Sequence, residues 1–336
     1  MFKWFKPFQL LLLLMMSVLL LSACGSISSS ATKDSQASSQ IAASQKNKAA
    51  SDANTQASAT RQYTDKTGRN VEVPAAPQRI VYIGSSPGDL LAIGVQPLGA
   101  SLSVIASQVA YPDLLTGIED VGYPYSLEKI AALNPDLILF DDWSMDQFEM
   151  LEKIAPTVII GNDHPVDMMD RLHAIGTVLN QTSAVDKWMA TYKQKVQTTR
   201  ASLKLSDNAT VSSLLLFGNT MYIMGNQGLN QTLYEQLNLK PNANVKKLIN
   251  KNERFISVSN ELVSDYVGTD LFLLTSTDSE TIATQSTLLS SPVWKMIPAV
   301  KQGKVYVLDS KWNFDDPITS ERLLDELVRI VNKTNG

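Results

Sequence analysis

Gly84, Ser86 and Gly88 spell G-x-S-x-G between an apolar run, Ile80 to Ile83, and an amphipathic stretch from Asp89 to Ile93. In serine hydrolases this spacing puts a reactive hydroxyl on a sharp strand-to-helix turn. That chemistry also needs a base and an oxyanion hole. The histidines are His164 and His173, and Asp141 or Asp142 precedes either in Ser-Asp-His order. The residue after the nucleophile must give its backbone N–H to the oxyanion. Here that residue is Pro87, which has no N–H. Losing one such donor typically costs ~10²–10³ in rate. The same residues suit a helix start, with Ser86 as N-cap, Pro87 at N1 and Asp89 closing a capping box. A serine esterase using Ser86 is therefore the lesser alternative, and no catalytic residue is expected. Ser85 remains a candidate ligand contact, because open α/β sheets bind ligands at the C-terminal ends of their strands. His164 and His173 have no third ligand in a metal-binding pattern, so they read as surface histidines and no metal site is expected.

The elements that must position these residues alternate. The strand patterns RIVYI, DLILF and TVII (starting at Arg79, Asp136 and Thr157) are separated by helical patterns, as are VSSLLLF and MYIM further on (starting at Val211 and Met221). Such alternation argues for mostly parallel sheets covered on both faces. The two halves echo each other. Ser126-Leu127-Glu128 and Ser259-Asn260-Glu261 each precede an expected helix and then a strand starting at Asp136 or Asp270. Between the halves, Ala184 to Leu203 holds neither Gly nor Pro, and Val185, Trp188, Tyr192, Val196 and Leu203 form one helical stripe. Ser183 and Asp186 make a capping box at its start. At 1.5 Å per residue this helix spans about 30 Å, enough to run along both halves. A surface helix of one lobe fits the pattern equally well.

The start of the chain is of another kind. Lys3 and Lys6 precede a short apolar run, Leu10 to Leu21, which reads as a signal peptide over residues 1–23. It ends in Leu21-Ser22-Ala23-Cys24, which resembles the lipobox of bacterial lipoproteins, and Cys24 is the one cysteine. Residues 24–60 hold no aromatic and few large apolar groups, so they read as a disordered tether. Its coil dimension is about 35 Å by the flexible-linker relation. The formal net charge is −4, without a basic run, which gives nucleic-acid binding no support.

The ordered set PQRIVYIGSSPGDLLAIGVQPLGA, VGYPYSLEKIAALNPDLILF, LEKIAPTVI, ISVSNELVSDYVGTDLFLL and WKMIPAVKQGKVYVLDSKWNFDDPITSERLLDELVRIV covers most of residues 77–331. It resembles the substrate-binding lipoproteins of iron-siderophore ABC importers, in the superfamily of the ferrichrome- and cobalamin-binding proteins. The resemblance implies an α/β fold of the class III periplasmic-binding-protein type: two lobes with mostly parallel central sheets, joined by one long interlobe helix. The expected division is an N-terminal lobe over 61–182, the helix over 183–204 and a C-terminal lobe over 205–336. It also implies a monomeric receptor without a resident cofactor, lipid-anchored on the outer face of the cytoplasmic membrane of a bacterium, Gram-positive by expectation. Such a receptor captures a ferric siderophore and delivers it to an ABC permease and its ATPase. Glu128 and Glu261 match, one per lobe, the family's glutamates that dock onto permease arginines. Helix capping alone also accounts for them.

By sheet logic the cleft is lined by loops 84–86, 122–126, 141–144, 161–165, 218–228, 275–279 and 310–316. These bring Tyr123, Tyr125, Trp143, Trp312 and Phe314, with Tyr222 close by, against a large, partly apolar ligand. Core packing is the alternative for each. The resemblance places pocket-lining aromatics near Trp143 and Trp312. The loops hold Lys311 and no arginine, so anionic ferric catecholates and citrate are disfavoured. The hydroxamate-binding relatives carry an arginine where this chain reads VGYPYS, a departure from the ferrichrome pocket. Asp141 and Asp142, unless they are merely solvated, favour a neutral or cationic ferric hydroxamate of the ferrioxamine type. Haem, with Tyr222 or His164 as axial ligand, and cobalamin are the alternatives within the fold.

Overall fold

The structure, a computed structural model, describes residues 59–105, 108–141, 145–161 and 167–335. A hairpin of β1 (Thr60–Thr64) and β2 (Asn70–Pro74) leads into the N-terminal lobe. There, apolar runs become β3 (Ile80–Gly84), β4 (Gly99–Ala100), β5 (Glu119–Asp120), β6 (Leu137–Asp141) and β7 (Thr157–Ile159). Their order is β5-β4-β3-β6-β7, every pair parallel. Ile80 to Ile83 and Leu137 to Phe140 are all buried, as expected of strands covered on both faces. The helices of this lobe are α1 (Gly88–Ala92), α2 (Leu102–Ile105), α3 (Leu127–Ala132), α4 (Phe148–Glu152) and α5 (Met168–Val178). Arg61 on β1 donates to the carbonyls of Thr177 and Val178 at 2.7 Å each, which ties the hairpin to the end of α5.

Helix α6 (Thr182–Ser202) follows at once. It begins two residues earlier than the expected capping box allows. Gln181 holds the N-cap position without a side-chain bond, so Ser183 and Asp186 lie inside the first turns. Leu203 has turned to an extended conformation beyond its end. The stripe Val185, Trp188, Tyr192 and Val196 is buried, and Trp188 stacks on Tyr192 with ring centroids 4.8 Å apart.

The C-terminal lobe holds β8 (Thr210–Phe217), β9 (Thr220–Met224), β10 (Lys240–Pro241), β11 (Phe255–Val258), β12 (Asp270–Thr275) and β13 (Val305–Asp309). The order is β11-β9-β8-β12-β13, with β10 beside β8. The echo between the halves is incomplete here. Gly218 and Asn219 leave room only for a hairpin, so β9 runs antiparallel to β8 and β11 antiparallel to β9. The helix expected from Leu229 to Leu237 takes a π-helical form over Gln231–Gln236. Helices α7 (Ala243–Asn250), α8 (Ser279–Ser290), α9 (Pro292–Lys295), α10 (Pro298–Lys301) and α11 (Pro317–Asn335) complete the chain.

One buried cluster runs through both lobes: Tyr82 and Leu139 from the first sheet, Trp188 and Tyr192 from α6, Phe272 and Tyr306 from the second sheet, and Leu324 from α11. Helix α11 packs on both α1 and α6. Its Arg322 holds Asp113 of the N-terminal lobe bidentately at 2.7 and 2.8 Å. The lobes are thus joined twice, by α6 and by the return of α11.

Candidate functional site: the floor and walls between two parallel sheet edges

The G-x-S-x-G loop ends β3. A Cβ on Gly84 would lie 2.8 Å from the Cβ of Asp141 on the neighbouring strand. On Gly88 it would come within 2.1 Å of Asp316 Oδ1 and 3.0 Å of the Tyr111 hydroxyl. Both glycines therefore permit close approach of other elements. Ser86 is only 3% exposed, so its hydroxyl is closed to a substrate. It is not the helix cap expected of it either: α1 has no side-chain cap, and Asp89 meets Ser86 through its backbone amide at 3.0 Å. The capping box fails because the Asp89 carboxylate turns inward. It takes Arg171 of α5 bidentately, at 2.5 and 3.0 Å.

This ion pair is the centre of a charged floor. Arg171 also donates to the Asp315 carbonyl at 3.1 Å, reaching the segment that leads into α11. Asp316 caps α11 by accepting from the Thr319 amide at 2.9 Å and its hydroxyl at 2.7 Å. Asp141, at the end of β6, accepts from the Tyr82 hydroxyl at 2.9 Å. Burial pushes the Asp89 carboxyl up to about 6, against the pull of Arg171. Burial likewise raises Asp141 to about 6, and it raises Asp316. Asp89, Asp141, Asp315 and Asp316 surround a single guanidinium, so the ionised floor is negative. Of this cluster, sequence reasoning assigns a ligand-facing role to Asp141, gives Asp89 only a helix-capping role, and reaches Asp315 and Asp316 only as part of the 310–316 loop. The ion pair carries no local signal, since its partners are 82 residues apart.

Because β3 to β7 are parallel, and β8, β12 and β13 are parallel, the loops after these strands leave each sheet at one edge. Ser85 is exposed there, and Tyr123 is 43% exposed. Tyr125 is different. It is 7% exposed, its hydroxyl donates to the Asp146 carbonyl at 2.7 Å, and its ring meets Phe140 edge-on. It belongs to the core of the N-terminal lobe rather than to the cleft wall. Trp312 is half-buried on a 3₁₀ turn, Ser310–Asn313, with Lys311 Nζ 5.6 Å from its ring centroid. Phe314 is half-buried as well. Tyr222 sits on β9 with Phe255 of β11 edge-on at 5.5 Å. Register places Tyr222 opposite Leu215, on the sheet face that also carries Phe217. Phe217 is 68% and Phe255 47% exposed, an aromatic wall that the reading by loops passed over. Its signal is the period-two pattern of Phe255 and Ser257 against Ile256 and Val258. Three strand spacings separate Tyr222 on β9 from β13, which leads into the Trp312 turn, about 14 Å at 4.7–4.9 Å each.

The two glutamates are both exposed but differently held. Glu128 lies in α3, whose Ser126 hydroxyl caps the Lys129 amide at 3.3 Å. No helix forms at Glu261. It stands in a turn before one 3₁₀ turn, Val263–Asp265, and the Ser259 hydroxyl holds its carboxyl below the usual range. Only a few residues separate it from β12, and Gly268 must pass so close to Thr210 that a Cβ would lie 2.1 Å from its carbonyl oxygen. His173 is exposed on α5. Cys24, the signal segment, the tether up to residue 58, Asp142, Trp143 and His164 lie outside the described residues, and Thr60, expected at the end of the tether, already pairs with Pro74 in the hairpin. Among the described residues no helix is long and apolar enough to cross a membrane.

Two α/β lobes, a connecting helix and an edge-to-edge cleft are the frame of a solute receptor, and the family model for periplasmic binding proteins matches residues 80–312. The chain belongs to the periplasmic binding protein family. The family is one of binding rather than catalysis, in keeping with the enclosed Ser86 and with Pro87 after it. This periplasmic binding protein is 28% identical over 271 residues to the iron(3+)-hydroxamate-binding protein FhuD of Bacillus subtilis, covering 79% of this chain and 84% of the relative. The iron(3+)-hydroxamate-binding protein YxeB of the same organism is 26% identical over 335 residues, 96% of this chain and 97% of the relative. Among solved structures, Staphylococcus aureus SirA complexed with staphyloferrin B has the same fold. Its TM-score is 0.71 at 24% identity, over 81% of this chain and 99% of that one.

Proposed function

We propose that this periplasmic binding protein captures a ferric siderophore of the hydroxamate type in the cleft between its lobes and hands it to an ABC importer. The observation that carries the reading is the similarity, over most of both chains, to two relatives named as iron(3+)-hydroxamate-binding proteins. The site supports it. Tyr222, Phe255, Phe217 and Trp312 offer aromatic surface to a bulky complex. The post-strand loops hold no arginine, and Lys311 is engaged with Asp309 at 3.7 Å. Beneath them lie Asp141 and the negative floor, which favour a neutral or cationic complex over an anionic one. Ser85, Tyr123, Trp143, Tyr222 and Trp312 are the proposed ligand contacts. Iron enters only as cargo, and the protein needs no cofactor of its own.

The wider setting is part of the same proposal. Cys24 carries the lipid that holds the receptor at the outer face of a Gram-positive cytoplasmic membrane, as expected from the lipobox and in line with relatives named as lipoproteins. The receptor works as a monomer, and Glu128 and Glu261 meet the permease. Titration of the protein with ferrioxamine-type, catecholate and citrate ferric complexes and with haem, followed by calorimetry, tests the ligand class. Tight binding of the hydroxamate complex is expected. Tight binding of a ferric catecholate with none of hydroxamates would overturn the assignment.

A further inference from the structure

A cavity of about 500 Å³ lies along the connecting helix. It is lined by Met169 from the first turn of α5, by Met189, Tyr192 and Val196 from α6, and by Gln236 from the π-helical segment. All three parts of the head thus contribute. The volume falls within the ~300–1,000 Å³ typical of small-molecule sites. Two methionines, the face of Tyr192 and Val196 make its wall apolar and adaptable. Lys193 and Arg200 also line it, seven residues apart on one stripe of α6 and both exposed. Side chains of this kind lay their stems along apolar surface and keep the charge outside.

No acid lines the cavity. Among the described residues neither Lys193 nor Arg200 takes part in an ion pair, whereas nearby Lys195 is paired with Asp325 at 2.8 Å and with Glu321 at 3.8 Å. The two cations over the apolar floor thus make no ion pair among the described residues. We infer that this groove binds a single-chain anionic amphiphile, its apolar chain between Met169, Met189 and Val196 and its carboxylate or phosphate head against Lys193 and Arg200. A charge-assisted pair of contacts fixes the head, and Arg200 presents the fork that suits a carboxylate or phosphate. The site is independent of the siderophore reading, since it shares no residue with the proposed cleft contacts.

The test is photo-labelling of the full chain in membrane vesicles with three single-chain, diazirine-bearing probes: a long-chain carboxylate, an anionic lysophospholipid and the matching long-chain alcohol. Peptide mapping then locates the label. The expected result is label concentrated on the α6 peptide and around Met169, from the carboxylate or the lysophospholipid and not from the alcohol. Label from the carboxylate alone assigns a free acid as the occupant; label from the lysophospholipid assigns a membrane lipid. The double variant Lys193→Glu, Arg200→Glu should lower labelling about tenfold or more, the equivalent of losing one charge-assisted contact. Val196→Trp, which fills the groove without touching its charge, should lower it as far. Unchanged melting temperatures and siderophore affinity in these variants confine the effect to the groove. Equal labelling by the alcohol, label spread over the whole chain, or label indifferent to both variants overturns the proposal. So does an unlabelled groove, as when a protein segment fills it.

Discussion

At Gly88 one added methyl group has no room, because Asp316 Oδ1 would stand 2.1 Å from it. That contact explains Gly88 better than chemistry does, since the loop must let α11 approach from the other lobe, and the approach of Asp141 on the neighbouring strand explains Gly84. Asp89 and Asp141 lie in the same crowded floor, and their carboxyls titrate late as a result. Asp141 rises to about 6 through burial, against ~3.9 in an unfolded chain. The folded form therefore holds the proton more tightly than the unfolded one. The stability that Asp141 adds is fully present below pH ~4 and is lost as pH rises through 6. Asp141→Asn removes that loss while still accepting from the Tyr82 hydroxyl. Denaturant unfolding should find the variant more stable than the parent at pH 7.5, on the order of 2 kcal/mol, with the difference vanishing near pH 4. A constant difference across that range would remove burial of this carboxylate as its cause.

Among the elements, the two glutamate-bearing turns show how similar sequence yields different local structure. Ser126 caps a true helix under Glu128, while Ser259 holds Glu261 in a turn that cannot lengthen before β12 begins. Helix capping consequently accounts for Glu128 but not for Glu261. Both remain exposed, which suits a role at a partner's surface. The double variant Glu128→Arg, Glu261→Arg should abolish uptake of iron-labelled siderophore by cells and leave the calorimetric affinity for it unchanged. If affinity falls instead, these residues serve the cleft and not the permease. Neither change touches a buried group, so the fold should persist.

For the molecule as a whole, the decisive fact is the double joint. Helix α6 links the lobes, and α11 returns to the first lobe through Arg322 and Asp113, while Arg171 bonds across the floor to the Asp315 carbonyl. One apolar cluster continues through the same region. Closing the lobes by a large hinge motion would disrupt packed core, which resists continuous deformation. Ligand should therefore be taken up with small lobe movement. Solution scattering with and without the ferric ligand should show nearly the same radius of gyration; a large contraction on binding would contradict the shared core.

Much of the plan was legible locally. Strand and helix periodicity marked the lobes, the twenty residues without Gly or Pro marked α6, and Pro87 by itself argued against the hydrolase elbow. Each of these depends on neighbours in the chain, and so can be read from it. Tertiary structure alone decided that Asp89 would meet Arg171 rather than cap a helix, that Tyr125 would turn into the core, that β9 would run antiparallel, and that Phe217, Tyr222 and Phe255 would share one face. Those outcomes rest on pairings between residues distant along the chain. Burial decides them by setting the cost of leaving a charge unpaired or a ring in water, which no local pattern records.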